Sequence, residues 1–351
     1  MKRYLLILPV LIMLFVACSH DDEDRPAPDV ETVRLIISVP ATSASTRMGD
    51  PGTAVDKGAD WDRLAVILAY SDNSKVRTTT ITQEQFNALS AYNGNANFKL
   101  LAIDAEPGTV YIYGVTYSDA ANNPADAIAG CTTNAKVQAL TISNAYSEDN
   151  GTIDYSKFVS VATGYYKGNG NVPAEFVIKE GGTGEVGNNI PTMTLTRLAA
   201  KIDIQWDAAD AYEAGYTDVK VTGFTYKGTK YGRLFPNIAL SNYSAEEQDW
   251  SFYNTSEISQ RNGRVYHYTF PDGTYIDGTT TAGGVTVPSV TFNISATQNG
   301  TTTTNTYTYT LNFQSALQKA TWYKVNATIR GITGSGNITL SMDNTGVQTG
   351  E

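Results

Sequence analysis

An all-β protein of two tandem β-sandwich domains with a few short helices is what this sequence predicts, on three observations. Short segments in which apolar and polar residues alternate recur with turn signals between them, the pattern of sandwiches or barrels rather than a βαβ sheet. Tyr (22 residues), Gly (30) and Thr are plentiful while only 17% of residues are charged, a mixture that favours strands and tight turns. The 351 residues exceed one typical domain and suit two of about 150 each, and a hydrophobic content of 41% can fill both cores.

A segment of different character precedes the first strand. Lys2 and Arg3 lead into the apolar run Leu5–Ala17, followed by Cys18, Ser19, His20 and the acids Asp21-Asp22-Glu23-Asp24. A basic start, 13 apolar-rich residues and a small residue before the break mark a secretory signal peptide over residues 1–17. At roughly 1.5 Å per residue that run falls short of a bilayer core of about 30 Å. Phe15-Val16-Ala17-Cys18 resembles a bacterial lipobox, with Phe15 a looser fit than Leu, so Cys18 is the expected lipidation site. An ordinary signal peptide with an incidental Cys is the alternative. Acyl chains contribute about 0.8 kcal/mol per buried CH₂, so two or three hold a chain on a membrane without a spanning helix. Residues 19–31, acidic and containing Pro26 and Pro28, read as a tether.

The first strand then begins. Val33, Leu35, Ile37 and Val39 share one face at a period of 2, and Pro40 ends the run. Ala41–Asp60 is a loop rich in small polar residues with Arg47 in its middle, the kind of segment where proteolysis concentrates. Further strands are expected at Arg63–Tyr70, Phe98–Ile103, Thr109–Tyr117, Phe158–Ala162 and Glu175–Lys179. Thr82–Leu89 is expected as a helix with Thr82 and Gln85 forming a capping box, and Asn134–Leu140 as a short one.

A second unit opens near residue 191. Met193–Trp206 reads as one long strand, or two joined at Ala199-Ala200, followed by Val219–Tyr226, Val265–Phe270, Ser289–Thr297, Thr306–Phe313 and Trp322–Ile329. Asn299-Gly300 suits a type I′ hairpin turn. Gly331–Gly336 is Gly/Ser-rich, and beyond it Ile338, Leu340 and Met342 alternate with polar residues before the polar end Asp343–Glu351. The expected organisation is a signal peptide (1–17), a lipidated segment with the first strand (18–47), domains at 48–190 and 191–331, and an extension at 332–351.

Residues that could carry chemistry are sparse. His20 and His267 are the only histidines, and the alternation in Val265-Tyr266-His267-Tyr268 makes His267 a strand-face residue rather than a triad member. No His/Cys cluster suits zinc. Asp60/Asp62, Asp203/Asp207 and Glu246/Glu247 could pair as glycosidase acids, but a solvated place at strand or loop edges is expected for each. Gly181-Gly182-Thr183-Gly184 lacks the Lys-Ser/Thr of a phosphate loop, and Asp119–Asp126 lacks EF-hand spacing. With Cys18 acylated, Cys131 has no intramolecular partner and reads as a structural or incidental thiol. A net charge of −10 argues against nucleic acid or an anionic membrane surface as partner. No catalytic residue, metal or cofactor is expected.

Taken in order, the lipobox with its acidic follow-on, VRLIISVP, an Arg in the loop behind it, PGTVYIYGVTY, LTRLAAKIDI and WYKVNATIRGI resemble the FimA/Mfa-type fimbrial subunits (type V pilins) of Bacteroidales. The resemblance runs over nearly the full length, and the acidic run is similar to the surface-export signal of Bacteroidetes lipoproteins. It implies transthyretin-like, Greek-key sandwiches and export to the outer membrane as a lipoprotein. It further implies cleavage after Arg47 by an Arg-specific or trypsin-like protease, with Met48 the new N-terminus and the strand of Val33, Leu35, Ile37 and Val39 displaced. A neighbouring subunit's strand then fills the groove, and the head-to-tail contact propagates a cell-surface fimbria. Ile338, Leu340 and Met342 are the candidate donor strand; the alternative for them is a last strand of their own domain, as in a tip or anchor subunit. The partners implied are other fimbrial subunits, the protease, the outer membrane through the lipid, and host or bacterial surface ligands.

A reading from another class is a surface lipoprotein that binds glycan on aromatic platforms. Of Trp61, Trp206, Trp250 and Trp322, only Trp250 looks loop-borne. A hydrolase is third, disfavoured by the poverty of His and Cys.

Overall fold

The computed structural model describes residues 31–39, 61–120, 122–144, 148–149, 152–153, 160–180, 190–240, 244–252, 262–272, 275–276, 279–280, 288–313, 316–331, 338–343 and 347–349. The chain is mostly β and forms two sandwiches. The first begins with β1 (Glu31–Ser38), β2 (Arg63–Tyr70) and β3 (Val76–Thr82). Helix α1 (Gln83–Ala88) follows with its capping box closed: the Thr82 hydroxyl accepts from Gln85 N–H, and the Gln85 side chain accepts from Thr82 N–H. Then come β4 (Ala91–Tyr92), β5 (Asn95–Ala105), β6 (Gly108–Tyr117), α2 (Ala125–Ala129), α3 (Asn134–Gln138) and β7 (Thr141–Ser143). A small hairpin, β8 (Glu148–Asp149) and β9 (Thr152–Ile153), precedes β10 (Val161–Tyr165), β11 (Glu175–Ile178), β12 (Thr192–Thr194) and β13 (Thr196–Arg197).

One sheet runs β12-β1-β5-β4 and the facing one β13-β10-β6-β2-β3, with β11 also on β6. Between them lie Val33, Leu35, Ile37, Leu64, Val66 and Leu68. β2 is apolar on both faces because it is covered on both: Ala65, Ile67 and Ala69 enter a separate core with Ile128 of α2 and Val137 of α3.

The second sandwich is built from β14 (Ala200–Asp207), α4 (Ala209–Glu213), β15 (Tyr216–Thr229), β16 (Tyr231–Arg233), β17 (Glu247–Phe252) and β18 (Asn262–Thr269). The pair β19 (Tyr275–Ile276) and β20 (Thr279–Thr280) leads to β21 (Ser289–Gln298), β22 (Thr304–Asn312), β23 (Thr321–Gly331), β24 (Ile338–Asp343) and β25 (Val347–Thr349). Sheet β18-β14-β23-β24, with β25 also on β23, faces sheet β17-β15-β21-β22. Trp206, Phe224 and Phe292 stack in series between them, with ring centroids 5.5 Å and 4.9 Å apart.

The two halves share the core that backs β2. Trp322, Tyr268, Phe270 and Phe235 from the second half join Tyr113 of β6 there, with the Tyr113 and Phe235 rings 5.0 Å apart. Asn144 bridges the same junction: its amide donates to the carbonyls of Thr229 (3.0 Å) and Phe270 (3.2 Å), and its oxygen accepts from Phe270 N–H at 2.7 Å. β7 pairs with β16 alongside, so both backbone and side chain join the halves.

Four expectations are corrected. Met193–Trp206 is not one strand, and the break at Ala199-Ala200, where β14 begins, is one of two: the segment divides into β12, β13 and β14, in three different sheets, with buried Leu195 and Leu198-Ala199 at the crossings. Alternation persists across such a crossing because each piece still buries one face. The Asn299-Gly300 turn carries positive φ only at Gly300 (+83°) with Thr301 N–H bonded to Gln298 C=O, as in type II, because the ladder already ends at Thr297–Thr304. Trp250 lies on β17 opposite Tyr226 and is not loop-borne. Asp203 is not solvated. It is fully buried and accepts from Arg264 Nε (2.8 Å), Arg264 Nη2 (2.6 Å) and Trp322 Nε1 (3.1 Å).

Two predictions follow from these buried groups. Truncating one partner of a buried ion pair strands the other charge, so Asp203→Ala should lower the unfolding free energy by about 3 kcal/mol in urea titrations. His267 on β18 is buried with its ring 4.5 Å from that of Tyr226, and burial pushes its pKa down to about 3. Below the ordinary pKa of 6.5 only the unfolded chain takes up this proton, so stability is lost as pH falls from 6.5 towards 3. His267→Phe should therefore show a shallower loss of stability than wild type across that window.

Candidate functional site

The expected displaced strand is an interior strand. β1 runs antiparallel to β5 along its full length, from Glu31–Ala105 to Ser38–Phe98. On its other edge it runs parallel to β12 through Ile36–Thr192, Ile37–Met193 and Ser38–Thr194. Hydrogen bonds from Ile36 N–H to Pro191 C=O (3.0 Å) and from Leu195 N–H to Ser38 C=O (2.8 Å) extend that contact. Val33, Leu35 and Ile37 are completely buried, as their spacing of 2 requires, and Val39 packs partly exposed against the same core.

Removing β1 would open a groove floored by the opposite sheet, including Leu64, Val66, Leu68 and Ile112. Uncovering three fully buried aliphatic side chains costs about 1.5–3 kcal/mol each, and backbone groups of β5 and β12 would lose their partners. β5 could not recruit a substitute from its far edge, where the two-residue β4 already sits. β1 and β2 lie in different sheets, so residues 40–60 join the two faces of the sandwich. Arg47 and Met48 belong to that connection and, like Cys18, lie outside the described residues.

The partner strand β12 was not legible as such. Met193 is buried beneath the groove, and it fits because two glycines face each other across β6 and β10. A Cβ on Gly114 would come within 2.6 Å of Met193 Cε, and one on Gly164 within 2.3 Å of the Thr194 carbonyl oxygen. Neither glycine needs unusual backbone angles; both are set by close approach. Ile36, on the opposite face of β1, is also nearly buried, which the alternation did not foretell.

The C-terminal segment is paired in the same chain. β24 runs antiparallel to β23 with Ile338 opposite Gly331, Leu340 opposite Ile329 and Met342 opposite Ala327, at the edge of its sheet. Its side chains lie outside the described residues.

The other candidates take structural places. Trp61 packs edge-on against Phe86 at 5.5 Å and is buried, as are Trp206 and Trp322, so none of these three forms an exposed platform. The Cys131 thiol is buried near the Ala127 carbonyl (3.4 Å), and burial pushes its pKa up. Asp207 accepts from Ala209 N–H at the start of α4, while exposed Glu246 and Glu247 pair with Lys230 and Lys227. Among the described residues, no group of three or more His, Cys, Asp or Glu is placed to hold a metal ion, and no helix is long and apolar enough to cross a membrane.

No protein-family model and no curated protein matches this sequence. Solved structures do resemble it. A proposed cell adhesion protein of Parabacteroides distasonis superposes with a TM-score of 0.54 at 12% identity, over 89% of this chain and 96% of the other. A proposed cell adhesion protein of Bacteroides eggerthii gives 0.49 at 16% identity, over 91% and 97%. A fimbrial assembly protein of P. distasonis gives 0.43 at 13%, over 91% and 98%. At these identities the likeness is one of fold, and the first structure carries it.

The glycine contact that seats β12 gives a test of the groove's construction. Gly164→Ala should force the Thr194 backbone outward and destabilise the protein by about 1–3 kcal/mol, the usual cost of overpacking. Hydrogen exchange should report faster opening of β1 and β12 in this variant than in wild type.

Proposed function

We propose that this chain is a fimbrial subunit, exported as a lipoprotein through Cys18 and matured by cleavage after Arg47. The observation that carries the reading is β1: a strand whose Val33, Leu35 and Ile37 are fully buried, bonded on both edges, and linked onward by the segment bearing Arg47. Once that link is cut, β1 is held by non-covalent contacts alone. A strand with apolar side chains at spacing 2 from a neighbouring subunit can then take its place, with main-chain bonds giving affinity and the pockets of Val33, Leu35 and Ile37 giving register. Such a contact is head-to-tail and does not close on itself, so it builds a filament. The C-terminal strand with Ile338, Leu340 and Met342 is the candidate donor. It is an edge strand and can leave its sheet without breaking the core ladder between β14 and β23. The fold shared with a proposed cell adhesion protein supports the surface location.

A second reading is favoured by one observation: β24 is paired over six residues with its own chain, as suits a tip or anchor subunit that does not polymerise. One experiment separates the two. The purified precursor, treated with a trypsin-like protease, should give a new N-terminus at Met48 and an SDS-resistant ladder in unboiled samples. Arg47→Gln should abolish both. Cleavage at Met48 without a ladder would assign the tip or anchor role, and no defined cleavage would overturn the mechanism.

A further inference from the structure

A cavity of about 700 Å³ opens between the two sandwiches, well apart from the Arg47 segment in role and within the roughly 300–1,000 Å³ range of small-molecule sites. Its wall on one side is the chain from β12 into β13. Thr192 and Thr194 alternate with buried Met193, and after the crossing at Leu195 the same wall continues with Thr196. Lys167, just past β10, stands at one side, and Asn237 and Lys319 close it from the second half.

The charge of this lining is unusual for the protein that contains it. The chain has 35 acidic and 25 basic residues, yet among the described residues no Asp or Glu lines the cavity while two lysines do. Lys319 is half-buried, and burial together with the like charge of Lys167 pushes its pKa down to about 8. Three other lysines are neutralised by carboxylates: Lys75 by Glu106, Lys227 by Glu247 and Lys230 by Glu246. Among the described residues, neither Lys167 nor Lys319 has an acidic partner of that kind. A half-buried ammonium group, Lys319, stands within reach of the like charge of the exposed Lys167, and an anion between them would relieve both the repulsion and the lost solvation of Lys319. Besides Gly164, Gly168 and Tyr165, the rest of the lining is threonine hydroxyl and asparagine amide, which can donate and accept.

We propose that this cavity binds an acidic sugar, its carboxylate or sulfate lying between Lys167 and Lys319 and its hydroxyl groups meeting the threonine wall and Asn237. Lysines rather than arginines suit a single point of charge rather than a bidentate clamp, and threonine and asparagine suit a ring of hydroxyls better than a bare inorganic ion. This site is independent of strand exchange and is tested on the uncleaved chain, so its failure leaves the fimbrial reading untouched, and the reverse holds.

The test is calorimetric titration of the purified chain with digalacturonate and with galactose 6-sulfate, each against its neutral counterpart, digalactose or galactose. At least one acidic sugar should bind, with its neutral counterpart weaker by about 10-fold or more, the worth of a charged hydrogen bond. Lys167→Gln, on an exposed loop position, and Lys319→Gln should each weaken binding about 10-fold with the melting temperature of the exposed variant unchanged. Binding should also fall from pH 6.5 to pH 9 in wild type as Lys319 loses its proton, and that fall should be smaller in Lys319→Gln. The proposal is overturned if neither acidic sugar binds at millimolar concentration, or if neutral sugars bind as well. It is equally overturned if inorganic sulfate competes as tightly as the sugars, or if Lys167→Gln binds like wild type.

Discussion

The first sandwich depends on its own first strand, β1. β1 supplies three fully buried side chains to a core whose other members come from residues 61–195, and among the described residues it is the only strand that joins β5 to β12. Without it the sheet β12-β1-β5-β4 is two fragments: a strand of three residues, and a pair of which one member has two. Neither fragment is a stable sheet by itself, since isolated two-stranded pairs are marginal in water. The sandwich is therefore incomplete without some strand in that place, and only the identity of the occupant is open to change.

The second sandwich needs no such insertion, and the reason lies in its connectivity. Its central strands β14 and β23 pair in parallel over seven positions, and both are flanked, by β18 and β24. The face of that sheet turned from its own core is not left to water. Trp322, Tyr268 and Phe270 meet the outer face of the β2–β6 sheet, with Asn144 satisfying the backbone at the seam. Asp203 belongs to the same sheet, and its charge is tolerated there because Arg264 and the Trp322 N–H together satisfy both of its oxygens. The two sandwiches are thus joined by a shared core, which makes the second a rigid support for the first.

Strands with one buried face were legible because alternation is a local signal. β1, β2, β6, β21 and β23 fall within a residue or two of their expected positions, as does α1 with its Thr82–Gln85 box. What was not legible depends on partners far away in sequence. Nothing in MTLTRLAAKIDIQW announces that the chain changes sheet twice, because each sheet accepts the same period. The burial of Asp203 rests on Arg264, 61 positions on, and on Trp322, 119 positions on. β3 (VRTTTIT) escaped because its threonines blur the contrast between faces, and the five-residue helices α2 and α4 are too short to show a period. The displaced strand was thus readable from its own residues, whereas its parallel partner β12 was not.

β12 is the strand where these themes meet. One edge of its backbone holds β1, Met193 fills the core beneath the groove, and Thr192 and Thr194 turn to the cavity between the sandwiches. Its seat against the opposite sheet exists only because Gly114 and Gly164 have no side chains. A strand so short cannot hold its own conformation; its position is dictated by what lies on each side. Loss of β1 would release one edge and leave β12 supported by the glycine contact and by the chain continuing into β13. Any strand that refills the groove can take up the same edge of β12. The groove and the cavity therefore share one wall, the first using its backbone edge and the second its threonine side chains.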